Sequence, residues 1–466
     1  MTYRAGGPVP AGGGARSVRS ASSSPTGASG GTGRRAGAAE QVMSVLRAAV
    51  GGPLPLRIRC WDGSTAGPAD APATVVLHRP RALRHLLWAP GELGLVRAYV
   101  RGDLDLDGDL FAALDLPDVI ERVAHHQPVG LAGRQRWQAV ATAARLGALG
   151  PPPRRPVEEL RRPKGGLHSR ARDAASVSHH YDVGNDFYRL VLGPSLVYSC
   201  AYWTQAPSPS YRLEDAQRDK LDLVCTKLGL GPGVRLLDVG CGWGSLALRA
   251  ATRHGARVVG ITVSREQAEL ARRRVEQEGL GGSVEIRLQD YRDVDDGPYQ
   301  AISSVGMSEH VGGDQLRAYA RALLDLLAPG GRLLNHAIAS VRSLPAPTSK
   351  DRPGFIDRYV FPDGQVLPLS ATLDALEHAG FEVRDVEALR EHYGLTLRAW
   401  VDNLREHWDE ALTHVPVARA RIWLLYLAAC ALAFEHGNLT VHQVVAVRQG
   451  DRAGSGLPRT RREWIP

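Results

Sequence analysis

The sequence predicts an α/β protein: a doubly wound, mostly parallel sheet with a small α/β domain ahead of it. Three observations carry this. Arg235–Val239 is an apolar run that passes straight into Asp238-Val239-Gly240-Cys241-Gly242-Trp243-Gly244, a strand feeding a glycine turn. After residue 230, apolar runs alternate with helix-period segments at the spacing of βαβ units. Before it, a proline- and arginine-rich stretch beginning at Gly150-Pro151-Pro152-Pro153 divides the chain.

At 466 residues and 44% hydrophobic content, the chain exceeds one ordinary domain and can fill a sizeable core. Residues 1–38 are almost all Gly, Ala, Ser, Pro and Arg, without the apolar centre of a signal peptide, and read as a disordered basic tail. Residues 39–148 read as the small α/β domain. A helix is expected at Glu40–Ala49, strands at Leu54–Trp61 and Thr74–Leu77, and short elements at Pro80–Trp88 and Leu93–Tyr99. Asp103, Asp105, Asp107 and Asp109 have only the outline of a calcium loop, because Leu114 stands where its bidentate glutamate belongs. Residues 149–174 read as a linker, 175–450 as the doubly wound domain and 451–466 as a tail.

Within that domain, strands are expected near 234–239, 257–262, 283–288, 300–305 and 331–338, with helices near 244–254, 264–278 and 314–328. Each strand is a continuous apolar run, as in strands covered on both faces. Pro329-Gly330-Gly331 is expected to turn the chain into the fifth. Two later strands, 382–386 and 441–447, flank a helical insertion at about 396–436. The longest apolar run, Ile422–Phe434, is short for a bilayer span and reads as a buried helix.

Cys60, Cys200, Cys225, Cys241 and Cys430 form no C-x-x-C pair and no metal spacing, which points to a reducing, cytoplasmic setting. The net charge of +8 and pI near 9.4 call for an anionic partner. Arginines and lysine gather in the tail and at Arg154-Arg155, Arg161-Arg162-Pro163-Lys164 and Arg170-Ala171-Arg172. Aromatic residues suited to base stacking are not interleaved there, which favours acidic phospholipid over nucleic acid.

The glycine turn needs backbone that bends sharply and lets a ligand come close. A helix starts at Ser245, so its first amides favour an anionic group. A dinucleotide fingerprint would place an acid after the next strand, but Gly260-Ile261-Thr262-Val263-Ser264 holds none. A strand followed by D-x-G-x-G-x-G matches instead the S-adenosylmethionine (SAM) site of Rossmann-like class I methyltransferases.

Further motifs stand in order along residues 177 to about 447. They are Ser178-His179-His180-Tyr181-Asp182-Val183-Gly184-Asn185-Asp186-Phe187-Tyr188, Tyr198-Ser199-Cys200-Ala201-Tyr202-Trp203, Gly260-Ile261-Thr262 and Leu288-Gln289-Asp290-Tyr291-Arg292. Glu309-His310-Val311-Gly312, His336-Ala337-Ile338, Phe355–Pro362 and Tyr393 complete the set. With these, the chain resembles the cyclopropane-fatty-acyl-phospholipid synthases, including the mycolic-acid cyclopropane synthases. The resemblance implies methyl transfer from SAM to a cis double bond of a phospholipid acyl chain, through a carbocation that then loses a proton. It implies a bound bicarbonate as the base, cradled by Cys200, Glu309, His336, Ile338 and Tyr393. It places SAM against Tyr198, Ser199, Asp238, Gly240, Gly242, Gly244, Thr262, Gln267, Gln289 and Asp290. Cys200 need not be nucleophilic, since nothing adjacent in sequence would lower its pKa.

The expected partner is unsaturated phospholipid at the inner membrane face, not nucleic acid, with oligomeric state open and a homodimer included. Ser308 stands where the family has an apolar or aromatic residue, and a small polar wall there bears on the product. Closing the ring gives a cyclopropane. A hydride shift gives a methylene branch, the precursor that a separate reductase would convert to a methyl branch. A nucleic-acid methyltransferase and a non-catalytic SAM or lipid scaffold are the readings of other classes. His179, His180 and Tyr181 could cap a helix, and His392 reads as surface.

Overall fold

The structure is a computed structural model that describes residues 36–52, 54–116, 133–160, 172, 183–341, 354–362, 364–451 and 454–463. Almost all of the basic tail, the arginines and lysine of 161–171, and the Ser178–Asp182 motif with His179, His180 and Tyr181 lie outside the described residues.

The first sheet is small. Strands β1 (Arg57–Cys60), β2 (Thr65–Ala66), β3 (Ala73–Leu77) and β4 (Leu104–Gly108) run in the order β2-β1-β3-β4. A helix at Ala38–Val50 buries Ala38, Ala39, Val42 and Met43 against it. The four aspartates of the 103–109 stretch are each engaged by the protein. Asp103 meets Arg81 at 2.7 Å, Asp105 meets Arg421 at 2.7 Å, and Asp107 meets Arg59 at 2.7 Å. Asp109 accepts the Phe111 N–H at 2.9 Å and caps the Leu110–Leu114 helix.

The second sheet comprises β5 (Arg235–Val239), β6 (Arg257–Thr262), β7 (Val284–Leu288), β8 (Tyr299–Val305), β9 (Leu327–Ser340), β10 (Leu367–Pro368), β11 (Phe381–Ala388) and β12 (Leu439–Arg448). Its order is β11-β12-β9-β8-β5-β6-β7, with β10 added to the end of β9. The strands from β7 through β9 are parallel, and β12 and β11 join antiparallel. The order reverses between β5 and β8, the switch point at which doubly wound sheets hold ligands.

The Pro329-Gly330-Gly331 turn lies inside β9 as an irregularity, where pairing jumps from Tyr299↔Leu327 to Ala301↔Arg332. The helices Leu213–Leu228 and Leu369–Ala379 and the two-residue strand β10 had no counterpart in the sequence reading. The insertion is three helices, Arg390–Glu406, Trp408–His414 and Val417–Glu435. The last, 19 residues with mean hydropathy 1.6, could cross a membrane by length and composition, longer than the Ile422–Phe434 run suggested. It is more than half buried and packs into the core, so it serves as a core helix.

The two sheets share one unit, Gly37–Pro466. Ile422 and Leu425 join Ile58, Val100, Phe355 and Tyr359 in one apolar cluster. Glu159, buried, accepts from Arg97 at 2.6 and 2.7 Å and from Arg358 at 3.0 Å. The described part of the linker is therefore bound along the domain. Trp88 Nε1 holds the Gly150 carbonyl at 3.0 Å, and Leu160 N–H donates to the Arg358 carbonyl at 2.8 Å.

Candidate active site

A cavity opens at the switch point, lined by the carboxyl ends of β5, β6 and β8. Gly240 takes a left-handed φ of 76°, and a Cβ there would collide with the Met307 side chain. The amides of Gly240 and Cys241 both donate to the Ile261 carbonyl, at 3.0 and 2.9 Å, which folds the turn back over β6. Gly244, at φ 81°, then starts the Ser245–His254 helix. It does not line the cavity; its part is conformational.

Tyr198, Ser199, Asp238, Gly240, Gly242, Thr262, Gln267, Gln289 and Asp290 all line this one cavity. Thr262 Oγ1 donates to Gln267 Oε1 at 2.8 Å, and the Gln289 N–H reaches the Thr262 carbonyl at 3.0 Å. Asp290 is held by Arg292 through Nε and Nη2 at 2.8 and 2.6 Å, so its carboxylate is already engaged. Asp238 Oδ1 accepts from Ser303 at 2.7 Å, while Oδ2 has no partner among the described residues. Burial lifts the Asp238 carboxyl to about 6.

The second half of the site stands where β8 ends. The last β8–β9 bond is the Gly306 N–H to the His336 carbonyl at 2.9 Å. Two residues on, β8 no longer supplies an acceptor, and Glu309 Oε1 takes the Ile338 N–H at 2.7 Å. That amide, carried over as part of an anion cradle, is thus used by Glu309. Glu309 Oε2 is buried without a partner among the described residues, and burial raises the carboxyl to about 7.

His336 lies on the same face of β9 as Ile338, and it is buried with neither ring nitrogen bonded among the described residues. Burial, with Lys220 and Lys227 nearby, lowers it to about 3, so the ring is neutral. Cys200 is fully buried, its thiol donating to the Ala201 and Leu389 carbonyls at 3.2 and 3.6 Å. Burial pushes that thiol up, so it stays protonated. Burial also raises the Tyr393 phenol, which feels Tyr198, Cys200 and Glu309 electrostatically. Glu309, Ile338, Cys200 and Tyr393 are therefore neighbours, with His336 one alternation along the strand.

An aromatic wall joins the halves. Tyr198 meets Tyr188, Trp400 and Trp423 at centroid distances of 5.8, 5.3 and 6.0 Å, and Tyr393 meets Phe434 at 4.6 Å. Four of these rings, Tyr393, Trp400, Trp423 and Phe434, come from the insertion helices. Such faces suit developing positive charge. Two sequence expectations change here. Ser308 does not wall the site, because its hydroxyl turns to Asn335 Oδ1 at 2.9 Å on the opposite face of β9. His392 is not simply surface, because Nδ1 accepts the Trp203 N–H at 2.9 Å and the ring stacks on Tyr202. It anchors the segment that carries Cys200.

The sequence profile of the mycolic acid cyclopropane synthetase family (CMAS) matches residues 168–444. The chain belongs to this family. A probable fatty acid methyltransferase of Mycobacterium tuberculosis is 42% identical over 417 residues, 88% of this chain and 95% of that one. The tuberculostearic acid methyltransferase UfaA1 of the same organism is 34% identical over 405 residues, covering 85% and 88% of the two chains. Among solved structures, the mycolic acid cyclopropane synthase CmaA1 complexed with SAH and CTAB is 33% identical, with a TM-score of 0.54 over 59% of this chain and 98% of that one. This CMAS protein is a SAM-dependent methyltransferase acting on fatty acyl chains.

The sequence motifs do not include Lys220 and Met307, which also line the cavity, or the wall residues Trp400 and Trp423. Lys220 sits on the Leu213–Leu228 helix, whose inward positions include Gln217, Lys220 and Lys227. Those polar residues interrupt the apolar stripe by which a helix is recognised. The Gly229 that ends it, in left-handed conformation, was the available signal.

Proposed function

We propose that this protein methylates the cis double bond of an unsaturated phospholipid acyl chain at the inner membrane face and closes the product to a cyclopropane. The observation that carries the reading is the pair of unpartnered buried groups, Glu309 Oε2 and neutral His336, beside an aromatic wall and next to the SAM cavity. SAM supplies the methyl group.

An alkene is a weak nucleophile, so holding it in line with the donor matters most, an effect worth roughly 7–11 kcal/mol. Tyr198, Trp400 and Tyr393 exclude water and present ring faces to cationic charge. A small oxyanion such as bicarbonate fits the donor set, because His336 and the protonated Tyr393 phenol can donate to it. It would serve as proton acceptor. Glu309, holding its own proton until about pH 7, can sit beside such an anion without like-charge repulsion, and above that pH it can itself accept a proton.

Residues 133–157 support the membrane surface as the working place. They hold Arg134, Arg136, Arg145, Arg154 and Arg155 and no acid, and Trp137 among them is 76% exposed. A second reading, a methylene-branched product passed to a separate reductase, is favoured by the likeness to the tuberculostearic acid methyltransferase. The inward turn of Ser308 removes the wall-size argument for it.

The test is incubation with SAM and dioleoyl phospholipid vesicles. Methylated acyl chains are expected, with cyclopropane protons far upfield in the proton NMR spectrum. Vinyl methylene protons instead would establish the second reading. No conversion with any unsaturated phospholipid would overturn both.

A further inference from the structure

Gln443 is fully buried on β12, directly opposite His336 of β9 in the antiparallel register. The two share one face of the sheet, with Val441 and Val445 on one strand and Leu334 and Ile338 on the other. An apolar residue would satisfy the packing there, and a buried amide is costly unless its groups are bonded. Gln443 Oε1 accepts from Lys227 Nζ at 2.7 Å, while Nε2 has no partner among the described residues. Neither ring nitrogen of His336 has one among them either.

Lys227 decides which way the amide points. An ammonium only donates, so it must face the amide oxygen, and a flipped amide would set N–H against N–H. Lys227 is itself held by Glu387 and, at 3.9 Å, by Asp385. The remaining end of Gln443 is therefore a donor by construction. Opposed residues on antiparallel strands have Cβ atoms about 4.5–5.5 Å apart, within reach of a bond from an amide to an imidazole. A neutral imidazole has one donor and one acceptor nitrogen, so a neighbour that only donates fixes which is which.

We propose that Gln443 is a positioning residue for His336: its Nε2 donates to one ring nitrogen, so that the proton sits on the other and is presented to the site. The inference rests on the reading of His336 as a donor to a small oxyanion and adds what makes it one. Donation then runs one way, from Lys227 through Gln443 to His336. Lys220, Lys227 and His442 around the ring also disfavour a second proton on it.

Nitrogen-15 NMR of the full chain with labelled histidine tests this, because the two ring-nitrogen shifts report the tautomer and need no turnover. A His336→Gln sample locates the His336 signals. The unaltered protein is expected to hold His336 neutral in a single tautomer. Gln443→Met should give mixed tautomers, and kcat should fall by roughly tenfold or more with KM for dioleoyl phospholipid within about twofold. Gln443→Glu, equal in shape, offers an acceptor instead and should move the His336 proton to the nitrogen facing it. Unchanged His336 signals in these variants would overturn the assignment, since a packing residue leaves the tautomer alone. Should Gln443→Met not fold, Gln443→Glu decides by the same criterion, and mixed tautomers in the unaltered protein would overturn the proposal without any variant. If the unaltered protein modifies no unsaturated phospholipid, the proposed reaction fails, while the spectra still decide for or against the Gln443 contact.

Discussion

Lys220 and Lys227 stand seven residues apart on one face of the Leu213–Leu228 helix, both buried, in opposite surroundings. Lys227 meets Glu387 and Gln443, the latter at 2.7 Å, with Asp385 at 3.9 Å. It thereby ties the helix to β11 and β12, and Arg461 closes on Asp385 from outside at 3.2 Å. Lys220 has a hydroxyl where Lys227 has carboxylates. The difference separates two uses of a buried charge. Where the protein supplies the counter-charge, the group is scaffold; where it does not, the group waits on a guest. Glu309 Oε2, Asp238 Oδ2 and His336 stand on the same side of that division as Lys220.

The largest effect is expected at Glu309. Glu309→Gln keeps the shape and removes the proton acceptor, so turnover should fall by about 10²–10⁴ while SAH binding holds. Turnover equal to that of the unaltered protein would place Glu309 with the scaffold. The pH dependence has a definite sign. Folded Glu309 keeps its proton to about pH 7, whereas an unfolded glutamate loses it near ~4.3. Its contribution to stability is therefore greatest in acid and declines as pH rises from about 4 through 7. Turnover should rise over the upper part of that range, as the carboxylate forms. In the glutamine variant the Glu309 share of both trends should be lost, leaving the stability share of Asp238, which melting and rate profiles at matched pH would reveal.

The next effect is one of stability. Lys227→Met strands Glu387 and Asp385 beneath the helix, and breaking a buried pair costs about 3–5 kcal/mol. Denaturant unfolding should register that loss. SAH affinity should be unchanged, because Lys220 lines the cavity and Lys227 does not. A changed affinity would mean that the two lysines act as one network and that the contrast between them is false.

The contrast also explains what could be read from the chain. The glycine turn and the β5–β9 strands were legible because backbone geometry and both-face burial restrict residue type over consecutive positions. Thr262 and Gln267 were named only through the family resemblance, and the fold bonds them to one another. Trp400 and Trp423 were not legible, since aromatic residues on a helix have the same spacing whether they line a site or fill a core. Ser308 misled for a related reason. Its neighbour Glu309 faces the site, and only the three-dimensional turn of the Ser308–Val311 helix shows Ser308 facing Asn335 instead. Lys220 was hidden because a lysine in a helix is ordinarily solvent-facing.

The smallest effect concerns charges that water already satisfies. Arg134 is exposed, and Arg134→Gln should leave stability and SAH affinity untouched. At an anionic bilayer the same charge gains about 1 kcal/mol from the surface potential, so co-sedimentation with phosphatidylglycerol vesicles should weaken about fivefold. Raising the salt should shrink the difference, because the attraction extends only a Debye length. Trp137→Ala should weaken sedimentation in a salt-independent way, since its ring enters the interface by apolar contact. Equal sedimentation of both variants and the unaltered protein would move the membrane-facing surface elsewhere. Exposed charge would then form a third category beside the two lysines, neither scaffold nor site.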